Sequence, residues 1–168
     1  MLAWPASSWA ESVLNDIRTE WDEVQQGRSE WYLPLHTWHN RANYTKQQIA
    51  KFNEDPWGIG FGKGLQNERQ DWRGLYVLGF LDSHKDIEVV AGYAHTWKLA
   101  AGADWNVGGG YTAMLSFRRD INNYRIPALG LLPVLSVGSG QYSVYLIYLP
   151  RIVKGHADVA FFIGKVAL

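Results

Sequence analysis

Cysteine is absent from the 168 residues, which excludes disulfides and thiol chemistry and leaves the redox compartment open. Net charge is missing too. Sixteen Lys and Arg balance sixteen Asp and Glu, so no overall field draws the chain toward nucleic acid or an anionic surface. No apolar run reaches the ~18 residues that would mark a membrane-spanning helix. The sequence has no HExxH, no GxSxG elbow, no glycine-rich phosphate loop and no useful metal-ligand spacing. No secretory leader pattern is legible, and Met1 is expected either to be an added start residue or to stand where a leader has been removed.

Aromatic residues are plentiful: they make up 14% of the chain, with nine Trp and nine Tyr, and 17 Gly accompany them. Trp and Tyr suit places where one end is apolar and the other wet, the rims of a membrane barrel among them. The length suits one domain with a sizeable core, spanning 1–168. About residues 7–27, a helix is expected. Ser8-Trp9-Ala10-Glu11 has the capping-box pattern. Trp9, Val13, Ile17, Trp21 and Val24 recur on one helical face, and Gly27 is a plausible stop. This stripe fits a helix lying in a membrane interface or one packed on a core.

From about residue 31 to residue 168 the pattern changes to eight strand-like segments. They are expected near 31–42, 56–66, 70–83, 87–98, 104–118, 129–138, 141–151 and 157–168. Short turns alternate with long connections, the asymmetry of an up-and-down outer-membrane barrel. The predicted fold is therefore all-β: an eight-stranded antiparallel transmembrane β-barrel preceded by an N-terminal amphipathic α-helix. In the second strand Trp57, Ile59 and Phe61 alternate with Gly58, Gly60 and Gly62. Similar small faces recur on the fourth and fifth strands. The third segment, Trp72 to Ser83, is apolar on both parities and ends in an acid–hydroxyl pair. Small residues on one face suggest an enclosed space, and its apolar lining suits a hydrocarbon chain rather than a water channel.

Pro34, Pro56, Pro133 and Pro150 sit within or at the ends of strand-like segments. Proline cannot donate to a ladder, so each marks a gap in pairing, either as strand-end punctuation or as a lateral opening for lipid. The polar candidates for chemistry are His36, His39, Asp82, Ser83, His84, His95, Arg119, Asp120 and His156. Topology brings His39, Asp82 and Ser83 to one rim. A base, an acid to orient it and a hydroxyl are the parts for acyl transfer.

Several motifs resemble the PagP family, lipid A palmitoyltransferases of Gram-negative outer membranes. They are Thr37-Trp38-His39, Phe52-Asn53-Glu54-Asp55-Pro56-Trp57-Gly58, Trp72-Arg73-Gly74-Leu75-Tyr76, Asp82-Ser83, Ala91-Gly92-Tyr93, Leu131-Leu132-Pro133 and Tyr148-Leu149-Pro150. The resemblance runs from the helix to the last strand. It implies transfer of an acyl chain, palmitoyl or somewhat shorter, from the sn-1 position of a phospholipid to a hydroxyl on a lipid A acyl chain. It implies His39 as general base, Asp82 as its orienting acid and Ser83 as nucleophile or hydrogen-bonding partner. It places lipid gates at Pro34 with Pro56 and at Pro133 with Pro150. The implied partners are a phospholipid donor, a lipid A or lipopolysaccharide acceptor and bilayer lipid, with no nucleic acid, and no metal or nucleotide cofactor is expected. The chain is expected to be a monomer in the bacterial outer membrane.

Three positions among others depart from the family pattern. Asn67 and Arg73 stand where an Asp and a His commonly flank the second turn. Ala94 stands at the glycine of the family's acyl-pocket floor, where a methyl would shorten the preferred chain. The competing reading is a non-catalytic lipid-binding β-barrel, embedded or lipocalin-like. A structural barrel or adhesin has no use for an apolar interior.

Overall fold

The backbone closes on itself in a computed structural model that describes residues 6–119, 122–151 and 158–168. After the helix α1 (Ala6–Gln25) come β1 (Arg28–His39), β2 (Gly58–Gln66), β3 (Trp72–Leu81) and β4 (Ile87–Ala100). β5 (Trp105–Phe117), β6 (Ala128–Ser139), β7 (Tyr142–Leu149) and β8 (Val159–Ala167) complete the sheet. Each strand pairs antiparallel with the next, and β8 pairs with β1, giving a closed barrel. All eight expected strands are present. The first begins at Arg28, earlier than expected, and stops at His39, where the backbone turns. The long loop that follows carries one helical turn, α2 (Lys46–Ile49), held by a capping box between Thr45 and Gln48. Its sequence is too short to show a helical period.

Bulky apolar side chains face outward: Trp57, Ile59, Phe61, Leu99, Leu129 and Leu131 are all exposed. On a closed barrel such a band has no partner but lipid. The helix behaves in the same way. Val24 is fully buried, but Trp9, Val13, Ile17 and Trp21 stand exposed. A core-packed helix would cover that stripe, whereas an interfacial helix presents it to the bilayer. Ser8 lies inside α1, so the expected N-cap there is corrected. Arg73 on β3 holds the helix, donating to Glu20 at 3.1 Å and Glu23 at 3.3 Å. The Tyr93 hydroxyl donates to the same Glu20 at 2.5 Å. The departure at Arg73 is thus matched by carboxylates on the helix, while Asn67 pairs with Asp71 inside its own turn.

The interior has two halves, and the expectation of a small or apolar inner face holds for only one. Toward the long-loop side the lining is mostly apolar beneath a polar rim that includes Thr37, His39, Asp82 and Glu88. Toward the short turns Glu30, Lys98 and Lys165 are buried. Glu30 accepts from Lys165 Nζ at 2.7 Å, Trp72 Nε1 at 2.9 Å and the Tyr32 hydroxyl at 2.6 Å. Such a network persists in a low dielectric because both carboxylate oxygens are hydrogen-bonded and the charge is paired with Lys165. Gly64 is required beside it, since a Cβ there would fall inside the Glu30 carboxylate and the Trp72 indole. Gly58, Gly60 and Gly62 of β2 serve close packing and line neither interior cavity. A Cβ at Gly60 would strike Leu78, and one at Gly62 would strike Tyr32.

Pairing fails at two places. β1 and β2 pair only from Arg28–Gly64 to Tyr32–Gly60, leaving the rim half of β1 unpaired with β2. β6 and β7 pair only from Ser139–Tyr142 to Val134–Ile147, stopping directly below Pro133. Pro34 and Pro56 flank the first gap, and Pro133 and Pro150 flank the second.

Candidate active site

Strict alternation from Glu30 and Tyr32 would turn His39 outward. A register shift between Pro34 and His36 intervenes. An extra residue in one strand reverses the parity of everything beyond it. Thr37 and His39 are therefore buried on the inner face, at the rim.

The long loop then closes on the His39 ring. Phe52 stacks on it with centroids 4.3 Å apart and planes 22° apart, and Tyr44 meets it edge-on at 5.7 Å. Glu54 Oε1 accepts from His39 Nδ1 at 3.0 Å and from the His39 backbone N–H at 3.2 Å. Arg41 binds both oxygens of Glu54, Nη1 to Oε1 at 2.5 Å and Nη2 to Oε2 at 2.6 Å. That clamp, aided by the His39 contacts, holds the Glu54 carboxyl down at about 2. Glu54 is consequently an anion at any working pH and fixes the proton on Nδ1. Nε2 is left as the acceptor, 3.0 Å from Ser83 Oγ.

Asp82 does not touch His39, and the orienting part expected of it is corrected. Its Oδ1 accepts the backbone N–H groups of His84 at 2.8 Å and Asp86 at 2.9 Å. Its Oδ2 lies 3.7 Å from Arg118 Nη2. These bonds fold the 82–86 turn and so set the position of Ser83. The carboxylate that faces the imidazole is Glu54. Sequence reading quoted Glu54 only as part of a motif. The available signal was its place between Phe52 and Pro56, in a long loop returning over the His39 rim.

The other polar candidates fall away from this centre. His36 lies outside the barrel beside Phe162 and Asp55. His84 is an exposed rim residue, edge-on to Phe52. His95 sits among Trp97 and Tyr111 near the opposite end. Arg119 pairs with Asp86 at 3.0 Å. Asp120 and His156 lie outside the described residues. Among the described residues no cluster of His, Cys, Asp and Glu could hold a metal ion.

Beneath His39 and Ser83 a cavity of about 470 Å³ runs into the barrel. Its walls are apolar, with Phe80, Val90, Ile147, Leu149, Phe161 and Ile163 among them. Tyr76 and Met114 also line it, and they share one inner layer across Gly92. The Tyr76 hydroxyl leans one layer lower, to Thr112 Oγ1 at 2.7 Å. Ala94 belongs to that lower layer, between Gly74 and Thr112. It is packed in the core and does not line the cavity. The surface at the bottom is Tyr76, and Ala94 is placed to act through it.

A hydrophobic slot roofed by a Glu–His–Ser line, inside a lipid-facing barrel with two side gaps, defines a class: membrane barrels that handle acyl lipids at a catalytic rim. Comparison with known proteins narrows the class. Residues 17–165 match the family described as antimicrobial peptide resistance and lipid A acylation protein PagP. The chain belongs to this family. It is 42% identical over 162 residues to the lipid A acyltransferase PagP of Bordetella pertussis strain Tohama I, covering 96% of this chain and 85% of the relative. It is 35% identical over 159 residues to that of Methylobacillus flagellatus, covering 95% and 84%. It is 34% identical over 167 residues to that of Legionella pneumophila, covering 98% and 87%.

Proposed function

We propose that this barrel transfers an acyl chain from the sn-1 position of a phospholipid to a hydroxyl on lipid A, in the bacterial outer membrane and as a monomer. The observation that carries the reading is the His39 ring, fixed by Glu54 on one side and open through Nε2 above an apolar slot. In this reading the donor's acyl chain lies in the slot with its ester at the rim. The acceptor hydroxyl approaches Nε2 and gives up its proton as it attacks the ester carbonyl. The protonated imidazole then returns that proton to the departing lysophospholipid oxygen. Such a base contributes about a hundred- to ten-thousand-fold. The adjacent Glu54 anion stabilises the imidazolium formed on the way. Supporting gates at Pro34 with Pro56 and at Pro133 with Pro150, the two pairing gaps would let lipid pass sideways from the bilayer.

Ser83 favours a second reading. Its Oγ, 3.0 Å from Nε2, is where a nucleophile would be activated. A covalent acyl-serine would then precede transfer. Incubation with phospholipid alone, read by intact-protein mass spectrometry, separates the two. Direct transfer leaves the mass unchanged, and the covalent route adds one acyl group that Ser83→Ala abolishes.

Depth sets the acyl length. From Asp82 down to Tyr76 the strand covers about 20 Å, or about 15 Å along the axis at a tilt near 40°. Down to the Gly74–Ala94 layer the axial depth is about 20 Å on the same geometry. An extended chain advances roughly 1.25 Å per methylene, given C–C bonds of ~1.5 Å. The slot therefore takes about 12 carbons above Tyr76, and about 16 if the ring gives way. The test of function is acyl transfer in detergent with defined phospholipid and lipid A, read by mass spectrometry. His39→Ala is expected to abolish it. A folded variant that transfers at the parent rate would sink the assignment.

A further inference from the structure

The proposed reaction makes no use of the short-turn half of the interior. A second cavity of about 340 Å³ lies there, under the junction of α1 and β1 and beside the Gly140–Gln141 turn. Three cations line it, Arg28, Lys98 and Lys165, against one carboxylate, Glu30. Glu30 already pairs with Lys165 and accepts from Trp72 and Tyr32. Lys98 is 8% exposed. Among the described residues its ammonium has no hydrogen-bond or ion-pair partner. The nearby Asp71 accepts the Lys98 backbone N–H at 3.0 Å, not the ammonium.

A buried cation beside a neutralised ion pair lacks a counter-charge, and leaving it unpaired is costly. The remedy is an anion supplied from solution. Chloride could approach one ammonium, but the donors here are spread around a chamber. Lys98, Lys165 and the buried Ser143 all line it. An anion with several oxygens accepts from all of them at once, and charge-assisted bonds are the strong ones. We propose that this cavity binds a phosphate-class oxyanion between Lys98 and Lys165, with Ser143 as a third donor. The site is reached from the aqueous face at the short turns. It is independent of the acyl-transfer centre, so its failure leaves that reading untouched.

Inorganic phosphate and a phosphomonoester headgroup present the same chemistry. The full chain, refolded in nonionic detergent, is unfolded in urea at constant ionic strength while chloride is replaced by inorganic phosphate or glycerol 3-phosphate. The expected result is a saturable rise in the unfolding midpoint, since a ligand that binds only the folded state stabilises it by mass action. Lys98→Arg should keep the rise, and Lys98→Met should lose it. An equal rise with glycerol 3-phosphate assigns the headgroup as an accepted source, and a rise with inorganic phosphate alone assigns the free ion. The absence of a saturable rise in the parent, or an identical rise in Lys98→Met, overturns the proposal. Phosphorus NMR of inorganic phosphate titrated with the parent is a second measurement that depends on no variant. Absence of saturable broadening there overturns it too.

Discussion

Glu54 offers the sharpest test of how the rim works, because its two oxygens carry unequal loads. Oε1 accepts three donors: the His39 backbone at 3.2 Å, His39 Nδ1 at 3.0 Å and Arg41 Nη1 at 2.5 Å. Oε2 accepts only Arg41 Nη2, at 2.6 Å. In Glu54→Gln the amide oxygen therefore belongs at the Oε1 position, where it keeps all three donors. Its NH2 then faces Arg41 Nη2, and one charge-assisted bond anchoring the loop is lost. The Nδ1 proton stays where it is, but the anion that stabilises the imidazolium is gone, so transfer should fall by about ten-fold to a hundred-fold. Glu54→Ala removes every one of these contacts. The ring keeps its Phe52 stack but loses its fixed tautomer and the anion that stabilises imidazolium. The expected loss is about a hundred-fold or more, or roughly 3 kcal/mol in the barrier. It should fall on kcat with KM little changed, since the acyl slot is intact. Both variants are assayed for acyl transfer in detergent after folding is checked by circular dichroism. Glu54→Ala at the parent rate, or Glu54→Gln more damaging than Glu54→Ala, would refute the reasoning.

Three further outcomes are expected. Ala94→Gly removes the methyl in the layer into which Tyr76 leans, so product mass spectrometry should show preference moving toward longer chains; an unchanged profile would place the floor elsewhere. Cysteines at positions 133 and 148, next in register above the β6–β7 pairing, should lower transfer when oxidised and recover it on reduction. Equal rates in both states would remove that gap from the lipid path. Glu54, depressed to about 2 from an ordinary 4.5, contributes fully above the ordinary value and is lost only as pH falls through about 2. The acid limb of kcat/KM should therefore not arise from Glu54, and an inflection near 4.5 that Glu54→Gln removes would contradict it.

Strand count, turn asymmetry and the lipid-facing outer surface were legible because each is a local pattern. Period-two alternation, turn residues and exposed aromatics are written in neighbouring positions. What escaped was set by events that break the period. The register shift after Pro34 reverses parity, so alternation alone points His39 the wrong way. The proline hinted at irregularity but could not say by how many residues. Glu54 escaped because loop residues carry no period, and its contact with His39 depends on the path of 18 residues between β1 and β2. Topology brings Asp82 to the rim of His39, where a base, an acid and a hydroxyl read as partners. In three dimensions a short turn draws that carboxylate to its own backbone N–H groups first. The glycine faces misled for another reason: a missing side chain is the same symbol whether it leaves space or admits a neighbour's ring.

The charged short-turn half follows from the demands of the other half. A slot that must stay open for an acyl chain cannot be filled, so β3, β4 and β5 lose packing above Tyr76. Something below must hold the barrel closed and deny the chain a path through it. Apolar filling would make the slot bottomless for a hydrocarbon, whereas buried charge repels one. Placing Glu30, Lys98 and Lys165 beneath the Tyr76 layer accomplishes both, because a methylene chain that advanced further would have to desolvate an ion pair. That cost exceeds the ~0.8 kcal/mol gained per buried methylene. The depth limit on the acyl chain is therefore enforced twice, by the Tyr76 ring and by the charge below it. Opening the first barrier with Ala94→Gly should extend the accepted chain by only a few carbons before the second one stops it.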